Sequence, residues 1–88
     1  MPSFLVETFL QRGAASERAA RELRARSAAE ELTRQGTSVH LDRTIHVLED
    51  EICFFIFHAP STQDAALAAQ LAKVGTLRVV EAVSSGRE

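Results

Sequence analysis

Val39-His40-Leu41-Asp42-Arg43-Thr44-Ile45-His46-Val47, the polar step Leu48-Glu49-Asp50-Glu51, and the run Ile52-Cys53-Phe54-Phe55-Ile56-Phe57 together decide the fold. In the first run Val39, Leu41, Ile45 and Val47 point one way and His40, Asp42, Thr44 and His46 the other, with Arg43 interrupting the apolar side. A period of two marks a half-buried strand at a sheet edge. The second run is apolar at every position, which suits a central strand covered on both faces. Glu49-Asp50 supply the turn, so the two runs form an antiparallel hairpin. An even-length loop sets Val47 opposite Ile52, His46 opposite Cys53, Ile45 opposite Phe54, Thr44 opposite Phe55 and Asp42 opposite Phe57. On this reading Val39, Leu41, Ile45, Val47, Ile52, Phe54 and Ile56 lie under the helices. The other face then carries the polar residues of the first run with Cys53, Phe55 and Phe57.

Working outward, Ser3 to Leu10 is dense in β-branched and aromatic residues on both parities and reads as a second central strand. Gly13 ends it. Ser16 followed by Glu17 reads as the start of a helix that runs to Gly36, with Ala25, Ala28, Ala29 and Leu32 on one stripe and Ala19, Ala20 and Leu23 on another. Two stripes imply a bend or a second partner. Beyond the hairpin, Pro60 stops the strand and Ser61 with Asp64 opens a short helix. Leu67, Leu71 and Val74 make its apolar stripe, and Gly75 closes it. Leu77 to Val83 is the last strand, and 84–88 reads as a loose tail. The chain is thus one domain over 1–88 with the order βαββαβ. With right-handed crossovers this is an α+β, ferredoxin-like fold: a four-stranded antiparallel sheet with two helices on one face.

The composition fits a folded domain: 88 residues, 45% hydrophobic, 25% charged, and a formal net charge of −2 that offers no general attraction for nucleic acid or an anionic membrane. Phe55 and Phe57 have the spacing of base-stacking aromatics, but the neighbouring loop is Glu49-Asp50-Glu51 and no basic residue accompanies them, so no nucleic-acid partner is expected. No apolar run is long enough for a membrane span. The N-terminal stretch lacks a basic n-region, and the single Cys53 makes no intrachain disulfide, so a cytoplasmic location is expected. Glycine-rich phosphate loops, G-x-S-x-G, H-E-x-x-H and C-x-x-C are absent. Two helices roof one face of a sheet whose central strands are apolar front and back. A homodimer through the face carrying Phe55 and Phe57 is therefore predicted.

Few reactive side chains are available. His46 and Cys53, a cross-strand pair with Cβ atoms about 5 Å apart, are the candidate ligands for a divalent transition metal, since imidazole and thiolate suit nickel, zinc and copper. His40, beside Asp42 on the same face, and His58, at the end of its strand on the helix side opposite Leu41, are the candidate acid–base residues of an enzyme. Glu7 and Glu81 are acids inside apolar strands, with Arg43 and Arg78 as the available partners.

The stretches Phe4-Leu5-Val6-Glu7, Glu49-Asp50-Glu51-Ile52-Cys53-Phe54 running into Ala59-Pro60-Ser61, and Val80-Glu81-Ala82-Val83 resemble a domain-of-unknown-function family of small bacterial proteins that includes nickel-binding members. The resemblance implies a dimeric α+β barrel-type protein with a metal or small-ligand role. It transfers no ligand positions. The leading expectation is a small dimeric binding protein with nickel or another divalent transition metal as the ligand to test. The alternative is a small α+β barrel enzyme of monooxygenase, isomerase or cyclase type, with an apolar pocket between sheet and helices.

Overall fold

Residues 1–83 are described by a computed structural model; the tail expected over 84–88 lies outside the described residues. In chain order the elements are β1 (Ser3–Phe9), α1 (Ala15–Arg34), β2 (His40–Val47), β3 (Ile52–His58), α2 (Thr62–Ala72) and β4 (Thr76–Ala82). The strands form one antiparallel sheet in the order β2-β3-β1-β4, which puts the two doubly apolar strands in the centre. Both helices pack on one face, and the ferredoxin-like α+β fold is as read.

Helix α1 starts without a side-chain cap, so Ser16 is not its N-cap. It is stabilised along its length by Glu17–Arg21 and Glu22–Arg26 pairs at i,i+4, and it ends before Gly36, whose φ of 104° only glycine adopts cheaply. The stripe Ala25, Ala28, Ala29 and Leu32 is buried, while Leu23 of the other stripe is solvent-exposed. Helix α2 is capped as expected: Ser61 Oγ accepts from the Asp64 amide at 3.1 Å. Its last carbonyls receive Arg24 of α1, whose Nε donates to Ala72 O at 2.8 Å and whose Nη2 donates to Lys73 O at 3.1 Å. A cation at a helix C-terminus complements the exposed carbonyl dipoles there.

The faces of the sheet are inverted relative to the sequence reading. Phe55 and Phe57 are fully buried under the helices with Phe4, Val6 and Cys53, whereas Ile52, Phe54 and Ile56 lie on the open face. The dimer surface expected to carry Phe55 and Phe57 therefore carries neither. The reason is volume. Helix α2 turns Ala65, Ala68, Ala69 and Ala72 to the sheet and leaves Leu67 and Leu71 outside, contrary to the predicted leucine stripe. Two helices faced with alanine leave a layer that only large side chains from the sheet can fill, and Phe4, Phe55 and Phe57 fill it.

The hairpin itself follows the predicted register near its turn, with His46 opposite Cys53, Ile45 opposite Phe54 and Thr44 opposite Phe55. Farther along, an irregularity at Asp42 shifts it: Leu41, not Asp42, lies opposite Phe57, and His40 lies opposite His58. The extra residue lets Leu41 face the core while Arg43, Ile45 and Val47 face outward. It also accounts for an arginine in the apolar phase of that strand.

Candidate functional site

The open face of the sheet is built in rows. Ile45, Phe54, Glu7 and Arg78 lie side by side across the four strands, as do Arg43, Ile56, Leu5 and Val80, while Val47, Ile52 and Phe9 form a shorter row. Glu7 is the one acid among these rows, and Arg78, one of the two partners that the sequence offered, donates from Nε to its Oε1 at 3.0 Å. Glu81 is exposed on the edge strand, level with Phe4.

The polar end of this face gathers residues that the sequence reading kept apart. His40 and His58 are direct cross-strand partners, with Ser3 next in the row. His58 Nδ1 shares a 3.1 Å hydrogen bond with Ser3 Oγ, and its Nε2 lies 3.7 Å from Asp42 Oδ2. His40 Nε2 shares a 3.2 Å hydrogen bond with Ser38 Oγ. Thus His58 is on the open face opposite His40, not on the helix side opposite Leu41, and it is His58 rather than His40 that Asp42 approaches. The inversion of the sheet faces puts His58 on the open side, and the bulge brings His40 rather than Leu41 opposite it. Asp42 was expected beside His40 and lies beside His58 instead, and Ser3 is the member that the sequence reading missed.

His46 and Cys53 do lie opposite one another, as read, but on the covered face. Cys53 is fully buried, and that burial pushes its thiol above the ordinary value of 9.0, with the Arg21 and Arg18 charges and the Thr8 hydroxyl pulling the other way. His46 Nε2 is 3.2 Å from Leu10 O; a carbonyl can only accept, so this nitrogen carries the proton and has no lone pair for a metal. Among the described residues no group of three or more His, Cys, Asp and Glu side chains is arranged to hold an ion. A single chain therefore does not complete a metal site at either place.

A groove of about 360 Å³ opens between α1 and the start of β2. Its floor is Ala29, Val39 and Leu41, and Arg26, Arg34 and His40 stand around it. Of the two candidate acid–base histidines, His40 lines this groove and His58 does not.

No helix among the described residues is long and apolar enough to cross a membrane. No family model matches the chain, and neither a curated protein nor a solved structure matches it.

Proposed function

We propose that this chain is the protomer of a small homodimeric binding protein, its two copies meeting through the open faces of their sheets, with nickel or another divalent transition metal as the first ligand to test. The observation that carries the reading is the open face itself: Leu5, Ile45, Val47, Ile52, Phe54, Ile56 and Val80 form a continuous apolar surface with no element above it among the described residues. Monomeric proteins seldom leave such a patch in water.

Two further features favour a face-to-face partner over one added along an edge. Both outer strands are irregular, β2 at Asp42 and β4 where it passes Glu7 and Thr8, and a bulged edge is a poor template for another strand. Glu7 brings its own counter-ion, so covering it strands no unpaired charge. A metal finds its best start at His58, which lies beside Asp42, with His40 at the directly opposite position of β2 and the remaining donors supplied by the second copy.

Sedimentation and calorimetry test the two halves separately. The wild-type chain sediments as a dimer at micromolar concentration and Phe54→Asp as a folded monomer; a wild-type monomer overturns the dimer. Titration with Ni(II) gives saturable binding that is lost in His40→Ala/His58→Ala and retained in Cys53→Ser. Absence of binding to the wild-type dimer removes the metal and leaves the assembly.

A further inference from the structure

We infer that the groove between α1 and β2 is a binding site for a small organic acid, a single carboxylate carried on an apolar body. It lies between α1 and the outer edge of the sheet, and of the residues that line it only His40 belongs to the face carrying Phe54. Arg26, Ala29, Glu30, Thr33 and Arg34 fall at helical spacing on one face of α1, and β2 supplies the opposite wall.

The floor is apolar and closed: Ala29, Val39 and Leu41 are all buried. The wall is built in advance. Thr33 Oγ1 donates to Val39 O at 2.9 Å and accepts from Val39 N at 3.1 Å, which pins the start of β2 to the helix, so a ligand orders little on entering. The volume of about 360 Å³ falls in the range of small-molecule pockets.

The charges choose the ligand. Arg26 and Arg34 stand eight residues apart on α1, roughly 12 Å along its axis, at the two ends of the apolar floor. Arg26 donates to Glu22 Oε2 at 3.0 Å and to Leu41 O at 3.4 Å, and Arg34 pairs with Glu31. Each guanidinium has five N–H donors, so both keep donors for a carboxylate. With Glu22, Glu31 and the groove's own Glu30 nearby, the two arginines leave no surplus of positive charge. An inorganic anion or a dianion gains little at such a site. A monocarboxylate gains the guanidinium fork and the apolar floor together.

Amide chemical shifts of the full chain, titrated with benzoate and with octanoate, test this directly. The expected result is saturable shifts at Ala29, Thr33, Val39 and Leu41, with benzyl alcohol and inorganic phosphate each binding about tenfold more weakly than benzoate, because one loses the charge-assisted bonds and the other the apolar contact. Arg26→Gln/Arg34→Gln lowers carboxylate affinity by about tenfold while alcohol binding is unchanged. Absence of saturable shifts, equal binding of acid and alcohol, or shifts confined to the Phe54 face overturns the site. Should the double variant fail to fold, the comparison of acid with alcohol on the wild-type chain still decides.

Discussion

The Cys53 thiol lies against the Thr8 side chain, whose hydroxyl donates to the Cys53 carbonyl at 3.0 Å, and no solvent reaches it. Burial disfavours its charged form, so the folded state holds the proton to a higher pH than the unfolded state does. The consequence for stability follows from linkage. Below the ordinary value of 9.0 both states are protonated and Cys53 contributes no pH dependence. Above it the unfolded chain ionises first, and stability falls until the folded thiol ionises too. Urea unfolding of wild type and Cys53→Ala, compared from neutral to alkaline pH, should show a difference that is flat at neutrality and turns against the wild type above pH 9.0. A constant difference at all pH values would contradict it. The neighbour of Cys53 was legible because His46 can be counted across a short turn; the pairing of His58 with His40 was not, because the extra residue at Asp42 comes between His40 and that turn.

Helix α2 shows the same limit one level up. Its existence and its start are local matters: Ser61 caps it and Asp64 sits in its first turn. Its orientation is not local. Leu67, Leu71 and Val74 have helical spacing, yet Leu67 and Leu71 are exposed and only Val74, beyond the helix, is buried. Alanines face the sheet instead, because the phenylalanines of β1 and β3 already fill the space and the helix must lie close. Substitution should therefore reverse the usual order of sensitivity. Leu71→Ala is expected to cost less than about 1 kcal/mol, as an exposed position does. Ala69→Leu is expected to cost about 1–3 kcal/mol by overpacking. Denaturant midpoints of the two variants measure this, and a larger loss for Leu71→Ala would show that the helix faces the other way.

Across the whole molecule the sheet separates two uses of apolar side chains, and adjacent residues of β3 report on each. Phe55 is fully buried within the chain, so Phe55→Ala should cost about 3–5 kcal/mol. Phe54 points to the open face, and Phe54→Ala should leave the protomer's fold nearly intact while weakening its self-association. Urea unfolding of dilute protein reads the first effect and sedimentation across a concentration series the second. Equal losses of folding stability at both positions would mean that the face carrying Phe54 is covered by the protomer itself.

Order, number and type of elements were determined by the amino-acid sequence alone, since period, caps and turns act between residues a few positions apart. The same holds for the hairpin register beside its turn. Tertiary structure alone decided which side of a doubly apolar strand meets the helices, because that choice depends on matching side-chain volumes between distant elements. It also decided that His40, His58, Asp42 and Ser3 meet: one bulged residue changes the phase of everything beyond it, and alternation by itself does not reveal where the phase slips.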